Sequence, residues 1–143
     1  MSWTYHFKDH TADIAVDVEA DSLSELFTAA AFSWRESISD DKVDGLNENK
    51  SLTFRDESME ILLVSFLSEL NFLFQSKHWM MSSVQQIDIQ KEKNVWNLSI
   101  MITGGYFDRN QMKLKSEIKA ITYHQMAIKE KNGKFSTRIV FDI

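Results

Sequence analysis

The sequence predicts an α+β, two-layer domain in which two main helices pack on a mostly antiparallel sheet of about seven strands. Several short runs alternate apolar and polar residues, as half-buried strands do. Two longer runs repeat apolar residues at steps of three and four, which is typical of amphipathic helices. Near the end of the chain, Lys131-Asn132-Gly133-Lys134 carries the Asn-Gly signature of a type I′ hairpin turn. Helices packed on a largely antiparallel sheet define the α+β class.

Length and composition indicate one domain over residues 1–143. The chain has 43% apolar residues and ten Phe, enough to bury a core, and we find no linker or internal repeat. The net charge of −5 gives no reason to expect direct binding of nucleic acid, which calls for a basic face. The absence of Cys excludes disulfides, thiolate catalysis and cysteine zinc sites.

The first half is predicted to hold three strands and both helices. The strands are Trp3–Lys8, Ile14–Glu19 and Lys50–Arg55, and Ile38–Asn49 is a loop or a short connecting strand. Ser22 and Glu25 form a capping box, so the first helix begins after Ser22 and runs to about Ser37. The second helix runs from Glu57 or Ser58 to about Ser76 and is expected to be the most buried element.

The second half is predicted to be mostly strands. In order we expect a loop at Lys77–Ser83, strands Val84–Lys91 and Val95–Thr103, a break at Gly104-Gly105, irregular chain at Tyr106–Lys115, a long strand Glu117–Lys129 and a last strand Phe135–Asp142.

The candidate site is the polar segment between the first two strands, Asp9-His10-Thr11-Ala12-Asp13, together with the end of the chain, Asp142-Ile143. A hairpin turn would more naturally use Asn-Gly, so these polar residues call for another explanation. Asp13, Asp142 and the terminal carboxylate of Ile143 are hard oxygen donors suited to Ca²⁺ or Mg²⁺. The two stretches are therefore predicted to meet and hold a divalent cation, although strand-end aspartates also form ordinary turns.

Three other features have both a functional and a structural interpretation. Lys119 lies among apolar neighbours in a predicted strand. It is either an ordinary exposed lysine on the strand face or a functional positive charge placed beside the acidic site. Glu69 lies beside the apolar stripe of the second helix. Its carboxylate either bonds to a neighbouring loop, which would be a structural role, or lies near the polar site, which would be a functional one. Asp40-Asp41 is either a solvated loop or a second cation site.

Other site classes find no support in the sequence. There is no Gly-x-Ser-x-Gly elbow or phosphate-binding glycine loop, and the four His lack zinc-ligand spacing. The longest apolar segment, Ile61–Phe74, is too short and too polar to span a membrane. No signal peptide is recognisable, so a cytoplasmic location is expected.

Three motifs together resemble the archease family. They are Asp9-His10-Thr11-Ala12-Asp13-Ile14, the segment Glu117–His124, and the terminal Ile139–Ile143; the stretch Leu62–Leu70 matches in looser form. The resemblance covers nearly the whole chain, in order.

The resemblance implies a protein that is not an enzyme but a cofactor of the GTP-dependent RNA-splicing and RNA-repair ligase. It would promote ligase guanylylation and multiple turnover in tRNA splicing. The family pattern implies that Asp13, Asp142 and Ile143 bind a cation, commonly Ca²⁺, and that Lys119 is needed for activation. Asp9, His10 and Glu69 are further candidates that could support the site. The alternatives are a stand-alone metal-dependent phosphohydrolase and a general chaperone-like interaction domain.

The chain departs from the family pattern at two places. Gly105 and Gln111-Met112 stand where the family usually has Glu and Arg-His, and Ser65-Phe66 replaces the usual Asp-Trp. These changes concern the surface toward the partner more than the cation site.

Overall fold

Eight strands and two α-helices form the part of the chain that this computed structural model describes, residues 2–8, 13–41, 47–123 and 126–143. A short 3-10 helix, Arg109–Gln111, lies in irregular chain after the fifth strand. In chain order the elements are β1 (Trp3–Lys8), β2 (Asp13–Ala20), α1 (Leu23–Ile38), β3 (Glu48–Asp56), α2 (Met59–Lys77), β4 (Trp79–Glu92), β5 (Val95–Tyr106), β6 (Ala120–Thr122), β7 (Lys129–Lys131) and β8 (Lys134–Asp142).

The strands form two antiparallel sheets, where the sequence predicted one. The first sheet has the order β1-β2-β8-β6, with β7 also paired to β8, and the second has the order β3-β5-β4. The α+β class is confirmed, while the division into two sheets is new. Alternation shows that a run is a strand, but it does not show which distant strand pairs with it.

Both helices contact both sheets, so the core lies where helices and sheets meet. Helix α1 packs against β1, β2 and β8 and also reaches β4, whereas α2 packs against β3, β4 and β5 and reaches β6. The first bond of the predicted capping box is present: the Ser22 hydroxyl accepts a hydrogen bond from the Glu25 amide at 3.1 Å. Ser58 caps α2 in the same way through the Ile61 amide.

Helix α2 is the only helix in the described residues with the length and composition of a membrane span. Nine of its nineteen residues are nevertheless buried against the rest of the protein. A buried core helix has the same composition as a membrane span, so this helix is not evidence for a membrane.

Two predictions around β4 and β5 are wrong. The expected loop at Lys77–Ser83 is mostly strand, because β4 begins at Trp79 and buries that indole. The expected break at Gly104-Gly105 is also absent, since β5 continues to Tyr106. A Cβ atom on Gly104 would lie 2.1 Å from the Met80 carbonyl oxygen, so glycine is needed for close approach of the two strands.

The predicted long strand Glu117–Lys129 is also wrong. Among the described residues of this range, only those of β6 and the first residue of β7, Lys129, are in strands. The two short strands pair with opposite ends of β8. Between them the Met126 amide donates a hydrogen bond to the Tyr123 carbonyl at 3.0 Å. The hairpin turn after β7 is as predicted: Asn132 and Gly133 have φ values of 55° and 76°, which a type I′ turn requires.

Candidate functional site

The register of β2 against β8 places Asp13 directly opposite Asp142. Asp13 is the first residue of β2 and is half-buried, and Asp142 is the last residue of β8 and is exposed. Residues directly opposite each other in an antiparallel pair have side chains on the same face, with Cβ atoms about 4.5–5.5 Å apart. The two carboxylates therefore belong to one local site.

The neighbouring residues on the same strands anchor this site to the core. Ile14 pairs with Phe141, and Phe141 is fully buried. Ala120 of β6 pairs with Asp142 from the other side, so the end of β8 lies between two strands. This central position gives Asp142 a defined backbone.

The end of the chain shares a cleft of about 300 Å³ with Asp13. Ile143 is 38% exposed and lines this cleft. Lys8 and Lys115 line it too. Two lysines that the sequence did not single out as site residues therefore line the same cleft as Asp13 and Ile143.

Both of these lysines also contact carboxylates elsewhere. The Nζ atom of Lys8 is 3.7 Å from Asp17, and that of Lys115 is 3.1 Å from Asp40. Asp41 accepts a hydrogen bond from the Lys113 amide at 2.7 Å. Asp40 and Asp41 thus hold the segment 113–115 in place, which favours their structural interpretation.

Lys119 joins the site through its backbone. Its amide donates to the carbonyl of Asp142 at 2.7 Å, one residue before β6 begins, and its side chain is exposed. The preceding residue, Ile118, is buried in the core. An exposed lysine thus follows a buried anchor, next to the carboxylate pair.

Polar side chains of α2 support this segment, although no pattern in the sequence predicts such a contact. The carbonyl of Ile118 accepts hydrogen bonds from Asn71 Nδ2, at 2.9 Å, and from Gln75 Nε2. The indole of Trp34 donates to Asn71 Oδ1 at 3.0 Å. In the sequence, Asn71 looked only like a polar interruption of an apolar helix.

The remaining candidates are not brought to the pair by any described contact. Glu69 is half-buried on α2, and no described contact joins it to Asp13, Asp142 or Lys119. Asp9 and His10 lie outside the described residues, so the structure does not test their predicted supporting role. Within the described ranges, no group of three His, Cys, Asp or Glu side chains forms a metal cluster.

The donor chemistry nevertheless fits a hard cation. Two aspartates and a main-chain carboxylate supply oxygen ligands only, which suit Ca²⁺ and Mg²⁺ and suit Zn²⁺ poorly. Like charges placed directly opposite each other in a sheet are destabilising, so a bound cation would relieve the repulsion between Asp13 and Asp142.

Comparison with known proteins covers almost the entire chain. Residues 5–143 match the model of the Archease protein family (MTH1598/TM1083). The chain belongs to the archease family. The protein archease of Archaeoglobus fulgidus is 31% identical over 139 residues, with 97% of this chain and 98% of the relative covered. That of Thermococcus gammatolerans is 31% identical over 142 residues, with 99% and 98% covered.

Solved structures agree with the archease fold. The solution structure of Methanobacterium thermoautotrophicum protein 1598 superposes with a TM-score of 0.82 at 24% identity, covering 97% of this chain and 98% of that one. The crystal structure of an archease from Thermotoga maritima, described as a possible chaperone, has a TM-score of 0.59 at 25% identity and covers 95% and 94%.

Proposed function

We propose that this chain is a non-enzymatic activator of the GTP-dependent RNA ligase in tRNA splicing and RNA repair. In this role it promotes guanylylation of the ligase and multiple turnover. Membership of the archease family over residues 5–143 supports the proposal. The observation that carries it is the pairing of Asp13 with Asp142, beside the end of the chain and the Lys119 backbone.

In this proposal Asp13, Asp142 and the terminal carboxylate of Ile143 hold one divalent cation, Ca²⁺ or Mg²⁺. Ca²⁺ takes roughly six to eight oxygen ligands, so three carboxylates leave positions for water or for groups of the partner. The bound cation supplies positive charge at the tip of β8. The protein residues hold that charge in place while it faces the nucleotide site of the ligase.

Lys119 adds a second positive charge next to the carboxylate pair. Its side chain is exposed, whereas its backbone is fixed by the carbonyl of Asp142. A lysine on a fixed backbone can meet a phosphate or an acidic group of the partner at a defined place. The activator thus contributes positioning and charge neutralisation, and the ligase performs the chemistry.

The test is ligase guanylylation with GTP, with and without this protein. We expect stimulation by the wild type and loss of stimulation by Lys119→Ala. Lys131→Ala is the matched control, because Lys131 is also exposed but pairs at the opposite end of β8. No stimulation of a cognate ligase by the wild type would refute the proposal, as would phosphoester hydrolysis by the protein alone with Mg²⁺ through the same carboxylates.

One observation favours a second candidate, a chaperone-like interaction domain. Trp3 and Phe7 on β1 are 38% and 41% exposed, and β1 is an edge strand of the first sheet as described. Exposed apolar side chains on an edge strand can bind other chains. The test measures whether this protein prevents an unrelated protein from aggregating. Loss of that activity in the double variant Trp3→Ser, Phe7→Ser, but not in Lys119→Ala, would support this second function.

A further inference from the structure

The peptide group between Ile118 and Lys119 is held at both of its ends. Its carbonyl accepts side-chain hydrogen bonds from Asn71 and Gln75, and its amide donates to the Asp142 carbonyl. One peptide plane therefore connects α2 to the last residues of β8. Because a peptide group is rigid and planar, holding both ends fixes its orientation.

The Asn71 side chain is itself held in one orientation. Its Oδ1 atom accepts from the Trp34 indole, so its Nδ2 atom is the donor that faces the Ile118 carbonyl. All three residues are buried: Trp34 and Ile118 almost completely and Asn71 to 6% exposure. A buried amide bonded through both its oxygen and its nitrogen restricts local geometry, because a rotation that breaks either bond leaves a buried polar group unpaired.

Sheet hydrogen bonds alone hold this segment weakly. Strand β6 has three residues, and the chain just before it, from Lys113 to Lys119, is not in a helix or strand. Lys119 lies outside the ladder of β6 and β8, so its backbone is held by the buried side chain of Ile118 and by the bonds of the peptide group between them. The bonds from α2 are the ones that join this peptide group to the helical core.

We propose that Asn71 and Gln75 are positioning residues of the ligase-activating site. They hold the peptide group that places Lys119 and, through its amide, the carbonyl of Asp142. Donors on the carbonyl of a peptide group also strengthen its amide as a donor, so the bond to Asp142 gains from the bonds to α2. The claim of a role in activation depends on the proposed function, whereas the claim about the peptide group does not.

The experiment compares Asn71→Leu, Gln75→Leu and the double variant with Ser33→Ala. Ser33 is the matched control because its buried hydroxyl donates to the Ala30 carbonyl at 2.7 Å within α1, away from Ile118. Gln75→Leu keeps the test valid if Asn71→Leu does not fold, because Gln75 is only partly buried. The readouts are hydrogen exchange of the Lys119 amide by NMR and ligase guanylylation at saturating activator.

We expect the Lys119 amide to exchange about tenfold faster in the folded variants at Asn71 and Gln75 than in Ser33→Ala. We also expect these variants to stimulate guanylylation about tenfold less. A tenfold change is the effect of losing one buried hydrogen bond. An unchanged Lys119 exchange rate would overturn the inference, whatever happens to stimulation. Faster exchange with full stimulation would overturn the role in activation. If the wild type itself does not stimulate, the proposed function fails, and the exchange rates still decide the claim about the peptide group.

Discussion

The β2–β8 ladder contains two opposed pairs that differ in one residue type. Asp17 lies opposite Arg138, and four residues earlier on β2 Asp13 lies opposite Asp142. Because side chains alternate along a strand, both pairs lie on the same face of the sheet. One strand pair thus presents a carboxylate facing a guanidinium and, nearer its end, a carboxylate facing another carboxylate.

The first pair neutralises itself. The guanidinium of Arg138 binds Asp17 through two hydrogen bonds, Nε to Oδ1 at 2.7 Å and the second nitrogen to Oδ2 at 3.1 Å. Hydrogen bonding to Arg138 lowers the pKa of Asp17 below its ordinary value. This pair needs nothing from outside the chain, so its role is structural.

The second pair places two negative charges together beside the end of the chain. Like charges directly opposite each other in a sheet are destabilising, and a cation shared between the two groups would offset that repulsion. The same ladder therefore contains a structural pair, Asp17 with Arg138, and a pair suited to binding a cation, Asp13 with Asp142. The following predictions test that difference, from the largest expected effect to the smallest.

Replacing Asp142 with Arg makes the second pair a copy of the first. We expect the wild type to gain about 2.7 kcal/mol of stability when Ca²⁺ is present at 100 times its Kd, and Asp142→Arg to gain nothing. Thermal unfolding in Ca²⁺ and in EDTA measures this difference. Asp17→Asn should retain the full gain, and an equal gain in Asp142→Arg would contradict the assignment of the pair.

Adding two residues after Ile143 moves the terminal carboxylate while leaving both aspartates in place. We expect cation affinity to fall about tenfold, or about 1.4 kcal/mol, because one of three carboxylate ligands leaves the site. Calorimetric titration with Ca²⁺ measures the affinity. The control adds two residues before Met1, and unchanged affinity in the C-terminally extended protein would remove Ile143 from the ligand set.

Breaking the first pair should cost little and should not affect cation binding. We expect Asp17→Asn to lose about 0.5–1 kcal/mol at neutral pH, since both side chains are more than a third exposed. Arg138 lowers the pKa of Asp17, so the pair stabilises the fold above the carboxyl's ordinary pKa of 3.8. That stabilisation is lost as the pH falls through the lower folded-state pKa.

Urea unfolding at several pH values measures this effect. The difference in unfolding free energy between wild type and Asp17→Asn should be constant near neutral pH and should vanish in strong acid. A difference that grows as the pH falls would have the wrong sign and would contradict the structural role of the pair.

Removing one charge from the second pair without cation should have the opposite sign. In EDTA we expect Asp142→Asn to be about 0.3 kcal/mol more stable than the wild type, because like-charge repulsion is lost. Urea unfolding at low ionic strength measures this small change, and Asp17→Asn under the same conditions is the destabilised control. A loss of stability in Asp142→Asn would show that the two carboxylates do not repel each other in the absence of cation.

Local patterns in the sequence predicted the elements whose signals lie within a few residues. The cap at Ser22, the limits of both helices to within two residues and the Asn132-Gly133 turn all follow from nearby side chains and backbone groups. Such features satisfy their hydrogen bonds locally, so a short stretch of sequence is sufficient to recognise them. The acidic residues of the candidate site could also be picked out from the sequence, although their pairing could not.

Only the tertiary structure decided what depends on distant partners. The register that sets Asp13 against Asp142, the division into two sheets and the bond from Asn71 to Ile118 all join residues far apart in the chain. Glycine at position 104 likewise reads as a strand break until Met80 is seen to lie against it. The sequence by itself determined the two helices, most of the strands and which residues carry charge. Long-range pairing decided where the other strands begin and end and which residues meet, because a contact between distant segments leaves no periodic signal in either one.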